Sequence, residues 1–222
     1  MVRIIFTRHG ETKWNVEGRC QGQTDIELTE KGVSQGKTLA RRLKNFNIDV
    51  ILTSDLKRAY DTAYQVKRKF DKHNKEFHLK AVEIIKDPLL REYSFGLWEG
   101  LTTNDIKMKY CDLYEERNLD PNIDIPEAEK YSDLVKRCKE FVDKCVELYP
   151  DSTVLAVTHS GFIKALLHHY LELPWSVIKN QMYVGNCSLT VLKCGDKIVV
   201  ETINDTAHFE GESEVRLVEA RH

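Results

Sequence analysis

Residues 2–7 (Val-Arg-Ile-Ile-Phe-Thr) and 153–158 (Thr-Val-Leu-Ala-Val-Thr) are short, β-branched and apolar, and each runs straight into polar, glycine-containing sequence. Such runs read as buried strands. Residues 49–53 and 80–85 fit the same description, and amphipathic helical patterns lie between them. Thr29 is placed to cap a helix to about Leu43, with Leu28 and Val33 as a hydrophobic staple. Ser54 or Asp55 is placed to cap the next, which carries Ala59, Ala63 and Val66 on one face and ends near Phe70. Ser132 caps a helix to about Leu148, residues 161–170 form another, and Pro174 opens a short one. Alternating runs at 188–193 and 197–203 flank Cys194-Gly195-Asp196, a hairpin signal.

Strands alternating with helices predict a three-layer α/β/α sandwich around a mostly parallel sheet, with the hairpin as an antiparallel edge. Residues 10–28 and 87–100 read as loops, 102–117 as one helix, 120–126 as irregular, and the charged residues 210–222 as poorly ordered. A chain of 222 residues fits a single domain, 1–222, with a lid insertion at about 100–131.

Charge and cysteine usage narrow the function. The net charge of −2 supplies no basic field for nucleic acid, and Lys67-Arg68-Lys69 sits in an amphipathic pattern that reads as a solvated face. Six scattered cysteines include no C-x-x-C pair, so neither a disulfide framework nor a zinc site is expected. No run is long enough to cross a membrane, and the first residues do not resemble a secretory leader. The expectation is a cytoplasmic protein with no cofactor and no metal. An edge strand from the hairpin leaves a homodimer open.

The chemistry concentrates at strand ends. Thr7 leads into Arg8-His9-Gly10, and Thr158 leads into His159-Ser160-Gly161. Each histidine stands just beyond the carboxyl end of a buried strand, the edge where open α/β sheets bind ligands. A third strand end, Thr53-Ser54, leads to Arg58, and a Gly- and aromatic-rich loop carries Arg91-Glu92. If these converge, one pocket holds two histidines, two or more arginines and a glutamate. Arginine presents planar, always-charged donors to phosphate oxygens. A neutral imidazole can attack phosphorus, a second histidine can donate to its oxygens, and a carboxylic acid can protonate the departing oxygen. Glu11 and Glu99 rival Glu92 for that last role, and Arg58 has Asp55 or Asp61 as alternative ion-pair partners.

The ordered motifs resemble the histidine phosphatase superfamily, also called phosphoglycerate mutase-like. They are Thr7-Arg8-His9-Gly10-Glu11-Thr12 with Asn15, Ser54-Asp55-Leu56-Lys57-Arg58-Ala59-Tyr60-Asp61-Thr62-Ala63, Leu90-Arg91-Glu92 with Phe95-Gly96-Leu97-Trp98-Glu99-Gly100, and Val157-Thr158-His159-Ser160-Gly161. The resemblance implies that His9 is the phosphorylated nucleophile, that Arg8, Arg58 and His159 form the phosphate pocket, and that Glu92 is the proton donor. It implies further substrate contacts from Asn15, Gln21, Gly22, Ser160 and Gly161, and a bond from His9 to the Gly10 carbonyl that selects its tautomer.

The flanking loops resemble the phosphatase branch more than the mutases. Gln21-Gly22-Gln23-Thr24-Asp25 is similar to a Q-G-x-x-D pattern, and Asn204-Asp205-Thr206-Ala207-His208-Phe209 to a closing N-x-T-x-H-L pattern. The expected function is metal-independent hydrolysis of small phosphorylated metabolites. A 2,3-bisphosphoglycerate-dependent mutase is the alternative, and a catalytically idle phospho-ligand sensor is the remote one. Lys107, Lys109, Arg117 and Lys130, in or beside the lid, are candidates to meet a second anionic group, or to form only a solvated face.

Overall fold

The computed structural model describes residues 1–76 and 82–209. The expectations for residues 80–81 and for the tail at 210–222 therefore lie outside the described residues. Six strands form one sheet: β1 (Val2–Arg8), β2 (Val50–Thr53), β3 (Glu83–Lys86), β4 (Thr153–Thr158), β5 (Leu189–Cys194) and β6 (Ile198–Asp205). Their spatial order is β3-β2-β4-β1-β5-β6. The first four pair in parallel, and β5 and β6 add the antiparallel edge.

The helices cover both faces. Ile5, Ile51, Leu155 and Val157 pack under Leu39, Ala40 and Leu43 of α2 (Glu30–Leu43, after the short α1 at Lys13–Val16) and Ala59, Ala63 and Val66 of α3 (Lys57–Glu76). Ile4, Phe6, Leu52, Val154 and Ala156 project to the opposite side. There they meet Leu134, Phe141 and Val142 of α6 (Tyr131–Leu148) and Phe162, Ile163 and Leu166 of α7 (Ser160–Leu171). Successive strand residues thus alternate between two apolar layers, which is why the runs in β1 and β4 are apolar throughout. Between β3 and α6 lie α4 (Thr103–Lys109) and α5 (Cys111–Leu119); α8 (Trp175–Asn180) follows α7.

Four local expectations are corrected. The loop at 10–28 contains α1, held by a capping box of Thr12 and Asn15 side chains, a local device that leaves no apolar periodicity. The single helix expected at 102–117 breaks at Tyr110, which lets Ile106 of α4 and Tyr114 and Arg117 of α5 all turn inward. Helix α6 begins at Tyr131, with Lys130 rather than Ser132 in the cap position; the buried Tyr131 hydroxyl lies 2.7 Å from His168 Nδ1, so its packing outweighs the serine's capping preference. At the entry to α3, Ser54 Oγ accepts from the Leu56 N–H at 3.3 Å, but the Lys57 N–H, the first of the helix, donates to Asp25 Oδ1 at 2.8 Å, and Asp55 is paired with Arg91.

Candidate active site

Register brings the two histidines together. Arg8 of β1 is paired with Thr158 of β4, and the His9 N–H continues that ladder to the Thr158 carbonyl at 2.9 Å. The next residue on each strand is a histidine, and their rings lie 5.2 Å apart. Both are buried. His9 Nδ1 sits 2.7 Å from the Gly10 carbonyl, so Nδ1 carries the proton and Nε2 keeps its lone pair. Burial, then the charges of Arg58 and Arg8, hold His9 well below the usual histidine range, and burial with Arg58 does the same to His159. Both rings are therefore neutral near pH 7.

Arg58 is wholly buried on the first turn of α3. It donates to the carbonyls of Gly22 at 2.7 Å and Thr24 at 2.9 Å. Its ion-pair alternatives are taken: Asp55 holds Arg91, and Asp61 holds Lys57. Burial pulls Arg58 down to about 10, so it remains charged. Arg8 donates to the Val184 carbonyl at 2.8 Å. The Nε atoms of Arg8 and Arg58, both ring nitrogens of His159 and Gln21 Oε1 are buried and have no protein partner. Such atoms cost about 1–3 kcal/mol each when unsatisfied; the two guanidinium N–H groups and the single N–H of the neutral His159 ring are donors suited to the oxygens of an anion, whereas Gln21 Oε1 can only accept.

Three carboxylates, Glu92, Asp25 and Glu99, act on Arg58, and of these Glu92 also acts on Arg8. The Glu92 oxygens accept from the N–H groups of Tyr93 at 2.9 Å, Gly161 at 3.1 Å and Phe162 at 3.2 Å, so it docks on the N-terminus of α7. A Cβ on Gly161 would stand 2.3 Å from Glu92 Oε1, which is why glycine occupies that position. The rival acids are elsewhere engaged. Glu11 accepts from Thr29 and pairs with Lys31. Glu99 is the keystone of the 21–24 turn, accepting from Gln23 N–H, Thr24 N–H, the Thr24 hydroxyl and Phe95 N–H.

Not every candidate arrives at the centre. Gly22 serves through its carbonyl to Arg58, and Arg91 points away to Asp55. Asn15 Oδ1 is used by the Thr12 cap and by Asn186, leaving only its amide nitrogen to donate outward. Ser160 opens α7 beside His159, half-buried. Three contributors were given no role from the sequence, Thr62 although it lies inside the second motif, Asn186 and Arg137 outside every motif. Asn186 donates to the His9 carbonyl at 2.9 Å. Thr62 accepts from the Gly10 N–H at 2.9 Å. Arg137 of α6 donates to the carbonyls of Leu89, Arg91 and Glu92 and pairs with Glu129. Arg137 looks like one more charge on an amphipathic helix, and Asn186 lies in no periodic segment. No group of three or more His, Cys, Asp or Glu side chains placed to hold a metal ion occurs among the described residues. No helix among them is long and apolar enough to cross a membrane.

Comparison with known proteins bears on the family and the fold. Over 217 residues the chain is 30% identical to a Yersinia pestis protein named "Probable phosphoglycerate mutase GpmB", covering 95% of this chain and 96% of that one. YhfR of Bacillus stearothermophilus superposes with a TM-score of 0.83 at 31% identity over 94% of this chain and 99% of that one. A mycobacterial glucosyl-3-phosphoglycerate phosphatase gives 0.80 at 29% over 92% and 99%. A phosphoserine phosphatase of Entamoeba histolytica gives 0.77 at 27% over 94% and 99%. Residues 4–206 match the family description as one unit, and the chain belongs to the histidine phosphatase superfamily, branch 1.

Proposed function

We propose that this chain is a phosphatase that hydrolyses small phosphorylated metabolites through a phosphohistidine on His9. The observation that carries the reading is the buried His9 ring, fixed by the Gly10 carbonyl with Nε2 free, beside His159, Arg8 and Arg58. In the first step Nε2 attacks phosphorus, the P–Nε2 bond forms, and the P–O bond to the substrate breaks. The phosphate monoester enters as its monoanion, its proton passes to Glu92, and Glu92 gives that proton to the departing oxygen. Arg8, Arg58 and His159 spread the charge of the transferring phosphoryl group. In the second step Glu92 takes a proton from water, water attacks phosphorus, and inorganic phosphate leaves as His9 is restored. No step calls on a metal. Segment 100–131, with α4 and α5, is read as the lid, and a small metabolite in the cytoplasm as the partner.

Two phosphatases among the structural relatives support hydrolysis, as does the Q-G-x-x-D turn built around Arg58. The name of the Yersinia protein favours the second reading, a mutase that returns the phosphoryl group. One assay separates them. Chelator-treated enzyme is given 3-phosphoglycerate with catalytic 2,3-bisphosphoglycerate, and 2-phosphoglycerate and free phosphate are followed together. Dominant phosphate release is expected; dominant isomerisation would overturn the reading. p-Nitrophenyl phosphate turnover should fall more than a hundredfold in His9→Ala with the circular dichroism spectrum preserved. Equal, measurable turnover by wild type and variant would remove His9 as the nucleophile, and no turnover by either would leave only the idle sensor.

A further inference from the structure

Near the histidine centre stands a second group of cations, from three separate helices. Lys164 stands one turn into α7, and its charge acts on the same ground as those of Arg8 and Glu92. Its Nζ reaches the Lys179 carbonyl in α8 at 3.0 Å, which uses one of its three donors. The Lys179 Nζ is bonded to the Asn118 side-chain oxygen in α5 and lies 5.3 Å from the centre of the Tyr114 ring. Arg117, also on α5, is 6% exposed, sandwiched among Tyr93, Tyr131 and Trp175, and its buried Nε has no partner.

None of Lys164, Lys179 and Arg117 forms a salt bridge among the described residues. The acids that act on the lysines are Glu92, already docked on α7, and Glu115 on the exposed side of α5. Burying like charges together without carboxylates is unfavourable, and an anion is the species that relieves it. A single phosphoryl group is already served by Arg8, Arg58 and His159. We infer that Lys164 and Lys179, backed by Arg117, form a subsite for a second anionic group, a carboxylate or a second phosphate, carried by the same substrate molecule. Burial first, and then Arg8 for Lys164 and Arg117 for Lys179, brings each amine down to about 8. Both are thus mostly protonated at neutral pH and sensitive to any anion that arrives. Of the four lid cations considered from sequence, Arg117 joins this group, while Lys107 lies 5.2 Å from the Tyr114 ring and Lys109 and Lys130 are exposed.

This deepens the phosphatase reading and rests on it only for where the first phosphate sits, so the test separates binding from turnover. Full-length His9→Ala protein is titrated calorimetrically with glycerol 3-phosphate, 3-phosphoglycerate, fructose 6-phosphate and fructose 1,6-bisphosphate. At least tenfold tighter binding is expected for 3-phosphoglycerate over glycerol 3-phosphate if the subsite takes a carboxylate. The same preference for the bisphosphate over fructose 6-phosphate is expected if it takes a phosphate. Adding Lys164→Met or Lys179→Met, which keep the aliphatic stem, should cut that preference below threefold, and Lys164→Arg should retain it. Equal affinity within both ligand pairs, or a preference that survives both methionine variants in folded protein, would overturn the subsite. Loss of His9-dependent aryl phosphate turnover with the preference intact would overturn the phosphatase reading alone.

Discussion

Gly161 and Glu92 show how one atom's worth of space sets the chemistry at the residue scale. The Gly161→Ala methyl would meet the end of a side chain, not backbone, so Glu92 can swing aside while α7 stays put. Alanine also suits a helix better than glycine by about 0.5–1 kcal/mol, offsetting part of the lost N–H bonds to the carboxylate. Gly161→Ala is therefore expected to keep its melting temperature within a few degrees. It should nevertheless lose alkyl phosphate turnover tenfold or more, with aryl phosphates, whose leaving groups need no proton, affected far less. Glu92→Gln should show the same split. Equal losses on both substrate classes would remove Glu92 from the acid role. The candidate site was legible at this scale because His9, Arg58, Glu92 and His159 each sit in a short local context that names a strand end, a helix start or a tight turn.

Elements act by holding loops in place. Helix α6 spends Arg137 on three carbonyls of the 89–92 segment and on Glu129, whose side chain is 16% exposed. Arg137→Leu strands a largely buried carboxylate and those carbonyls, a loss of roughly 3 kcal/mol. For a chain of this size that lowers the melting temperature on the order of 10 °C. Because the same segment carries Glu92, alkyl phosphate turnover should fall further than aryl phosphate turnover at a temperature where both proteins are folded. A stability loss with an unchanged substrate ratio would make Arg137 purely structural. Helix α2 meets the His9 loop equally closely, since a Cβ on Gly32 would stand 2.1 Å from the Glu11 carbonyl oxygen and backbone there has no room to give. Boundaries were the least legible feature of the elements: α1 is made by side-chain caps, α4 and α5 part at Tyr110, and the α3 cap arrives from Asp25, 32 residues away.

For the whole molecule the buried neutral histidines make stability depend on pH. Burial, followed by the arginine charges, lowers His9 and His159 below the ordinary value of 6.5 in the folded state. The unfolded chain then binds more protons as pH drops through 6.5, so stability is full above that value and declines below it. Each such histidine contributes up to roughly 1.4 kcal/mol per pH unit over that window. His168 and His169, lowered chiefly by burial, act in the same direction. Urea melts between pH 6.5 and 5.0 should show falling stability in wild type and a shallower slope in His9→Ala and His159→Ala. An identical slope in all three proteins would mean these rings are not held neutral.

The sequence alone determined the α/β class, the buried central strands, the hairpin edge and the family, because apolar periodicity and strand-end motifs are local signals. It also named most of the residues that meet at the centre. Which glutamate belongs there was a matter for the tertiary structure: Glu11, Glu92 and Glu99 differ only in what they touch, and only Glu92 lands on the α7 N-terminus within reach of Arg8 and Arg58. The same holds for Asn186, Arg137, Lys164 and Lys179, which lie up to 177 residues from the atoms they serve. Their side chains carry no local pattern, and their meaning arises from register and helix packing that join distant parts of the chain.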